Sequence, residues 1–220
     1  MTNLFIVTSV IQPGIQKWSY TPVRSIFTPE QRFQQTLQTI DSIRFMCPNS
    51  KIMIVEGGPL TNEMLTLLME KVDYFVDAFH TEHNTRTFCL ESNNKGLGDA
   101  WLILQGLQYI KEHSISSSLI FKMSGRYRLN NQFSLERIMY DRPTFRRVSG
   151  AGCITFCFAV PGSMIDTYIN IMLHTVEYFK THFTSIEDYL PNQFSIIHEI
   201  NCIGAEGEIA VSNPPHTYYV

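Results

Sequence analysis

Residues 92–129 read SNNKGLGDAWLILQGLQYIKEHSISSSLIFKMSGRYRL, and this stretch decides the fold class. A glycine-containing loop leads into an amphipathic segment at 97–112, which a short linker joins to an apolar run at 119–123. The pattern predicts a helix and then a buried strand that ends in a polar tip, Ser124-Gly125-Arg126-Tyr127. Ligands of open α/β sheets bind where strands end, so this tip is the first candidate site.

The same strand and helix alternation extends through the first 140 residues. Strands are predicted at 4–11, which is an unbroken apolar and β-branched run, and at 51–56 and 72–79, and helical segments separate them at 29–46 and 60–70. Unbroken apolar runs are typical of strands that are covered on both faces. The first helix begins at TPEQ, residues 28–31, which has the spacing of a capping box with proline in the first turn. We therefore predict an α/β fold with a mostly parallel central sheet flanked by helices.

Beyond residue 140 the regular alternation ends. The sequence predicts a strand at 152–160, a long helix at 161–183, a short capped helix within TSIEDYLPNQF (184–194) and one or two short strands in the tail. We expect one domain over residues 1–220, with 1–140 and 141–220 as its two parts.

Composition narrows the class of protein. Apolar residues make up 44% and charged residues 17% of the chain, which is ordinary for a soluble globular domain. The formal net charge of −3 argues against a nucleic-acid partner. No stretch approaches the roughly 20 apolar residues of a membrane span, and the start lacks the basic region of a signal peptide. The five cysteines form no CxxC pair, which indicates free thiols in a reducing cytosol.

Cationic side chains are concentrated at the end of the strand predicted at 119–123. Lys122, Ser124 and Arg126 alternate along the strand and its exit, so they point to one side. A lysine inside an apolar strand is costly unless it is paired or binds a ligand. Pairing with Asp77 or Asp99, or extension of the side chain to water, is one explanation. An anion site is the other, and we favour it because an arginine fork beside a glycine suits phosphate.

Two glycine-containing segments offer further candidates. Glu56-Gly57-Gly58 closes the second predicted strand, where a carboxylate can bind a base or ribose, although a turn with a solvated glutamate explains it equally well. The segment KGLGD, residues 95–99, opens the central helix, whose N-terminus and Lys95 attract anions. A flexible helix entry, with Asp99 favouring the helix dipole, is the alternative.

An acidic pair and a long loop complete the set of candidates. Glu187 and Asp188 lie at a helix start where TSIED fits the capping-box spacing twice, so helix capping is the plain explanation and a general base is the functional one. The segment QPGIQKWSYTPVRSIF, residues 12–27, exceeds the usual loop length and is a candidate ligand-covering loop through Trp18, Tyr20 and Arg24.

Taken in order, these motifs resemble those of small nucleotide-sugar-dependent glycosyltransferases of the GT-A fold, of the kind found in large viruses and bacterial polysaccharide clusters. VEGG (55–58) is similar to the acidic residue beside glycines after strand two, and NNKGLGDA (93–100) to the segment that opens a helix. LIFKMSGRY (119–127) stands where a strand ends in the DxD motif, and SIEDYL (185–190) where an acidic motif supplies the base. The resemblance covers roughly residues 4–190.

The resemblance implies a transferase of glycan biosynthesis that moves a sugar from a nucleoside-diphosphate sugar to a hydroxyl of a glycan acceptor, with inversion. It implies that residues 1–140 bind the donor and that 141–220 face the acceptor. Glu187, or else Asp188, would be the catalytic base. The substrate-binding set would be Thr8, Ser9, Arg24, Glu56, Lys95, Asp99, Lys122, Ser124, Gly125, Arg126 and Tyr127.

One departure from the family pattern concerns the metal. Ser124-Gly125-Arg126 stand where DxD would hold a divalent ion, so Mn²⁺ or Mg²⁺ is not implied, and Lys95, Lys122 and Arg126 would take over part of its task. The expected location is the cytoplasm, including that of a virus-infected host cell.

Two alternatives to a glycosyltransferase stay open. One is a non-catalytic relative that binds a nucleotide sugar or a carbohydrate, because the DxD motif is missing. The other is a sugar-1-phosphate nucleotidylyltransferase, although TSVIQPG (8–14) replaces the glycine-rich loop of that class. The same lack of a glycine-rich loop disfavours a methyltransferase.

Overall fold

A seven-stranded sheet forms the centre of the molecule in the computed structural model, which describes residues 2–148, 152–209 and 217–219. Its strands are β1 (Leu4–Ser9), β2 (Lys51–Glu56), β3 (Tyr74–Asp77), β4 (Leu119–Ser124), β6 (Thr144–Arg147), β7 (Cys153–Pro161) and β8 (His198–Ile200). A smaller antiparallel sheet contains β5 (Tyr127–Leu129), β9 (Ala205–Glu208) and β10 (Thr217–Tyr219). The helices are α1 (Pro29–Met46), α2 (Asn62–Lys71), α3 (Ala78–Thr81), α4 (His83–Thr85), α5 (Lys95–Glu112), α6 (Ile165–Phe179) and α7 (Ile186–Tyr189).

The strand order of the large sheet is β3-β2-β1-β4-β7-β6-β8. β1 runs parallel to both β2 and β4, β2 runs parallel to β3, and β6 runs parallel to β8, whereas β7 is antiparallel to β4 and β6. The prediction of a mostly parallel sheet flanked by helices is confirmed. Because the chain leaves β1 towards β2 on one side and later returns to β4 on the other, a crevice opens at the carboxyl ends of β1 and β4.

Helices cover both faces of the sheet, which explains the unbroken apolar run of β1. Leu4 and Ile6 of β1 pack on one face with α5 and α6, and Phe5 and Val7 pack on the other with α1 and α2; all four are at most 1% exposed. Gly106 allows α5 to approach β1 closely, since a Cβ at this position would lie only 2.9 Å from the Ile6 Cγ2 atom. Within the described ranges, no helix has both the length and the apolarity that crossing a membrane requires.

The first helix has the predicted capping box, with Thr28 as its N-cap. Several other boundaries differ from those predicted. The helix expected at 161–183 is shorter, because a 3₁₀ turn (Gly162–Met164) precedes α6 and the helix ends at Phe179. The short strands β5 and β6 were not predicted, and neither was the helical stretch of α3, α4 and a π-helical turn (Arg86–Glu91) between β3 and α5.

Candidate functional site

A cavity of about 210 Å³, here the central cavity, lies at the carboxyl ends of β1 and β4. Its lining comprises Thr8, Ser9, Val10, Arg32, Thr36, Lys95, Asp99, Leu102, Lys122, Ser124, Gly125, Arg126, Tyr127, Ile154, Thr155, Phe156, Glu187 and Ile209. A second cavity of about 130 Å³, here the loop cavity, lies beside it under the 12–27 loop and shares Arg32, Lys95, Asp99 and Arg126 with it. The structure thus brings together most of the residues that the sequence predicted.

Backbone hydrogen bonds fix the floor of the central cavity. The Gly125 N–H donates to the Thr8 carbonyl (2.9 Å), so the tip after β4 stays beside the end of β1. Thr36 of α1 donates its hydroxyl to the Gly125 carbonyl (3.0 Å). A Cβ at Gly125 would lie 3.0 Å from that hydroxyl, so glycine is what allows α1 and the tip to approach this closely.

Cations outnumber carboxylates around the central cavity. Among the residues that the structure describes, four cations (Arg32, Lys95, Lys122 and Arg126) and two acidic groups (Asp99 and Glu187) line it. The lining therefore carries a formal charge of +2 in a chain whose net charge is −3. Such local concentration of positive charge attracts anions regardless of the overall balance.

Lys122 is the least exposed of these four cations. Its side chain is 2% exposed, and its ammonium group donates to the Ser124 hydroxyl at 2.6 Å. Within the described part of the chain, no carboxylate forms an ion pair with it, since Asp77 pairs with His80 and Asp99 with Lys95. Burial lowers the pKa of Lys122 to about 8, against the attraction of Asp99. An anion in the cavity would stabilise the charged form.

Lys95 and Asp99 form an ion pair on the first turns of α5, with 3.7 Å between Nζ and Oδ2. Asp99 raises the pKa of Lys95 above its ordinary value despite burial, so Lys95 stays charged. Asn94 caps the helix, because its side chain accepts from the Gly96 N–H at 3.1 Å. The KGLGD segment therefore serves both as a helix entry and as a wall of the cavity.

Of the acidic pair, only Glu187 faces the central cavity. Its carboxylate accepts hydrogen bonds from the hydroxyls of Ser185 (2.7 Å) and Thr155 (3.1 Å). Burial disfavours its charge, but Lys95 and these hydrogen bonds outweigh burial and lower its pKa. Asp188 instead accepts from the Gly152 N–H at 2.9 Å and does not line the cavity.

The remaining tip residues form one side of the cavity. The Arg126 guanidinium donates to the Glu208 carbonyl at 3.1 Å, and this is its one hydrogen bond among the residues that the structure describes. Tyr127 stacks on Phe156, with 3.8 Å between ring centroids. Thr8 and Ser9 line the cavity at the end of β1.

Glu56 does not reach the cavity, contrary to the expectation that it contacts a nucleoside. It is fully buried, and one carboxylate oxygen accepts from the N–H groups of Ile11 and Gly58, both at 2.9 Å. Burial raises its pKa to about 7. These bonds connect the backbone after β1 to the backbone after β2. Glu56 therefore holds the two chain segments at this edge of the sheet together and does not line the central cavity.

Arg24 holds the 12–27 loop in place, whereas the sequence suggested that it covers a ligand. Its guanidinium donates to four backbone carbonyls at 2.6–3.2 Å, those of Gln16, Cys89, Leu90 and Ser92. It also stacks against Trp18 at 3.7 Å from the ring centroid. Arg24 borders the loop cavity but not the central cavity.

The sequence did not predict eight of the residues that line the central cavity. Four of them have a polar or aromatic side chain, Arg32, Thr36, Thr155 and Phe156, and the other four are the apolar Val10, Leu102, Ile154 and Ile209. Arg32 donates from Nε to the Val10 carbonyl at 2.8 Å, a contact between residues 22 positions apart. No local pattern distinguishes Arg32 from an ordinary solvated helix residue. Thr155 and Phe156 reach the cavity only because β7 pairs antiparallel to β4, which the alternation could not reveal.

The acidic groups of the site do not fit a divalent metal. In residues 2–148, 152–209 and 217–219, no three His, Cys, Asp or Glu side chains are arranged to hold one. Hard divalent cations require several oxygen ligands. Asp99 pairs with Lys95 and Glu187 accepts from two hydroxyls, so these two carboxylates alone do not supply the several oxygen ligands of a metal site.

Comparison with known proteins identifies the fold. No protein-family model and no curated protein matches the chain. It is similar to a solved structure of the galactosyltransferase LgtC in complex with donor and acceptor sugar analogues, with a TM-score of 0.51 and 8% identity over 90% of this chain and 73% of that one. The fold is that of the GT-A glycosyltransferases. A nucleoside-diphosphate-sugar pyrophosphorylase from Vibrio cholerae RC9 is equally similar, with a TM-score of 0.51 and 9% identity over 92% of this chain and 93% of that one.

Proposed function

We propose that this protein is a glycosyltransferase that takes a sugar from a nucleoside-diphosphate sugar and transfers it to a hydroxyl of a glycan acceptor. The observation that carries the proposal is the excess of cations at the carboxyl ends of β1 and β4 in a GT-A fold. A diphosphate is the part of such a donor that this charge suits, and the crevice at a topological switch point is where a GT-A-like sheet binds its ligand.

The cations would neutralise the diphosphate in place of a metal. Arg126, which makes one hydrogen bond within the described part of the chain, would form a bidentate contact with phosphate oxygens, and Lys122 contributes a charge that burial has removed from water. Lys95 and Arg32 line the loop cavity as well as the central cavity. These groups stabilise the negative charge that develops on the leaving diphosphate, and they need no reorganisation because the fold fixes them.

The nucleoside would bind next to the diphosphate, at the end of β1 and in the loop cavity. Thr8 and Ser9 supply hydroxyls there, and the loop cavity adds the aromatic rings of Trp18 and Tyr20. The bonds from Arg24 keep this wall in position before the ligand arrives. Pre-organisation of this kind lowers the entropic cost of binding.

Glu187 would act as the general base of an inverting transfer. It takes the proton of the acceptor hydroxyl while the oxygen attacks the anomeric carbon, and the bond from that carbon to the diphosphate oxygen breaks. The nucleoside diphosphate leaves with the bonding pair. The lowered pKa of Glu187 keeps it ionised at neutral pH, and the approach of the negative diphosphate raises that pKa during the reaction.

Residues 1–140 would form the donor part of the domain and 141–220 the acceptor part. The first part supplies all four cations of the central cavity, and the second supplies Thr155, Phe156 and Glu187. This distribution agrees with a base that acts on the acceptor side.

A second candidate function is sugar-1-phosphate nucleotidyl transfer, which the similarity to the Vibrio cholerae pyrophosphorylase favours. The two reactions release different products, so one experiment separates them. The protein should release a nucleoside diphosphate from at least one UDP-, GDP-, CDP- or dTDP-linked sugar, with EDTA present. Release of pyrophosphate from a nucleoside triphosphate and a sugar 1-phosphate, without any nucleoside diphosphate, would instead assign nucleotidyl transfer.

Replacing Arg126 should weaken donor binding without affecting the fold. We expect Arg126→Ala to reduce the affinity for the nucleoside diphosphate by about 1.5–3 kcal/mol, the range for hydrogen bonds to charged groups. Calorimetric titration in EDTA measures this loss. Arg128→Ala is the matched control, because Arg128 is an exposed arginine two residues away that pairs with Glu206 and does not line the central cavity. Equal affinities of the two variants would contradict a phosphate contact by Arg126.

A further inference from the structure

Two exposed aromatic side chains border a third space, a cleft beside Glu187. This cleft of about 290 Å³, here the aromatic cleft, is bounded by Tyr20 and Phe183, which are 62% and 59% exposed. Lys95 and Glu187 line both the aromatic cleft and the central cavity. The two spaces therefore meet at the carboxylate that we propose as the base.

One turn of the chain holds both aromatic walls. The Ser19 N–H, next to Tyr20, donates to the Asn93 carbonyl at 2.9 Å. The Asn94 side chain donates to the carbonyl of His182, next to Phe183, at 2.9 Å. The walls come from distant parts of the sequence, and the turn that begins α5 fixes the backbone beside each of them. A cleft fixed in this way is pre-organised for a ligand.

The charge of the aromatic cleft differs from that of the central cavity. Its lining contains one cation, Lys95, and one carboxylate, Glu187, together with hydroxyl groups such as those of Ser19 and Thr184. It therefore has no net charge, whereas the central cavity carries +2. Aromatic faces beside hydroxyls and a carboxylate suit a ligand with an apolar face and a polar edge. A sugar ring has C–H groups on its faces and hydroxyls at its edge.

Tyr20 links the two spaces. It borders the loop cavity as well as the aromatic cleft. Burial raises the pKa of Tyr20, Lys95 opposes this effect, and Asp99 and Glu187 add to it. The phenol hydroxyl thus lies within the field of the same charged groups that surround the proposed reaction centre, while part of the ring remains exposed.

We propose that the aromatic cleft binds the acceptor, as one uncharged terminal sugar ring that packs against Phe183 and Tyr20 and presents a hydroxyl to Glu187. The proposal rests on the proposed function and adds the place and the chemical class of the acceptor. Glu187 then lies between the donor in the central cavity and the acceptor in the cleft. The cleft offers no excess of positive charge to a phosphorylated or otherwise anionic acceptor, because the charge of Lys95 is balanced there by that of Glu187.

The direct test is binding of methyl glycosides of glucose, galactose, mannose and xylose, measured by ligand-observed NMR with and without UDP. Wild-type protein should bind at least one of them, and Phe183→Ala should weaken that binding about tenfold, the effect of losing one aromatic contact. Phe45→Ala is the matched control, because Phe45 is 84% exposed and does not line the cleft. It should bind like wild type.

Two outcomes overturn the inference: no methyl glycoside binds to the wild type, or the bound one loses no affinity in Phe183→Ala. Kinetic measurements distinguish a failure of the acceptor-site proposal from a failure of the proposed transferase function. Phe183→Ala should raise the acceptor KM about tenfold and leave the affinity for the nucleoside diphosphate unchanged. If glycoside binding depends on Phe183 but no nucleotide sugar is turned over, the cleft is a sugar site and the transferase proposal fails.

Discussion

Replacing Glu187 with glutamine should reduce the transfer rate by about 10²–10⁴, the usual contribution of a general base. Glutamine keeps the shape of the side chain and one acceptor oxygen, so one of the two hydroxyl bonds from Ser185 and Thr155 can persist. It cannot take the proton of the acceptor. The affinity for the nucleoside diphosphate should stay nearly unchanged, because Glu187 acts on the acceptor. Initial rates at saturating donor and calorimetric titration measure the two quantities.

Asp188→Asn is the control for this experiment. Asp188 is the adjacent carboxylate, but it binds the Gly152 backbone and does not line the central cavity, so its replacement should leave turnover within a small factor of wild type. If Glu187 were only a helix cap, Glu187→Gln would lower stability by about 1 kcal/mol or less and leave the rate intact. That result would show that the base lies elsewhere.

Replacing Lys122 with methionine should stabilise the protein and impair ligand binding. Lysine ordinarily titrates at 10.5, and burial lowers the pKa of Lys122 to about 8, so its charged form costs roughly 3 kcal/mol at neutral pH. Methionine fills similar space without a charge, and the free energy of unfolding should rise by up to about that amount. The affinity for the nucleoside diphosphate should fall about tenfold or more, because one charge-assisted contact is lost.

The pH dependence of the free energy of unfolding tests whether the charge of Lys122 is what lowers stability. Between pH 8 and 10.5 the unfolded chain binds more protons at Lys122 than the folded chain, so the free energy of unfolding of wild type should rise with pH in this window relative to that of Lys122→Met. Binding should change in the opposite direction and weaken above pH 8, as the lysine loses its charge. Lys111→Met, at an exposed lysine, should show neither effect. Parallel stability curves for wild type and Lys122→Met would contradict a buried charge.

The sequence predicted the elements that local patterns determine. The apolar run of β1 and the capping box at Thr28 depend only on neighbouring residues, and both agree with the structure to within two residues. The cationic tip after β4 was also predicted, because a polar tip after a buried strand is a local pattern. Lys122, Ser124 and Arg126 indeed line one cavity.

The sequence could not predict contacts that depend on distant segments. Glu56 looked like a ligand contact because it stands beside two glycines, but its partners include the Ile11 N–H, 45 positions away. Arg24 binds carbonyls of residues 89, 90 and 92, and Arg32 reaches the end of β1. The sheet order also depends on β6, a short strand with two arginines among its four residues, which apolar periodicity does not detect.

We propose that the central cavity binds a nucleoside diphosphate through its cations, without a metal. Calorimetric titration of UDP, GDP, CDP and dTDP into the wild-type protein in EDTA tests it most directly. We predict that at least one of them binds with one site per chain and that Mn²⁺ changes its affinity by no more than about twofold, a difference of under 0.5 kcal/mol. Absence of binding by all four, or binding that appears only when Mn²⁺ is supplied, would contradict the claim.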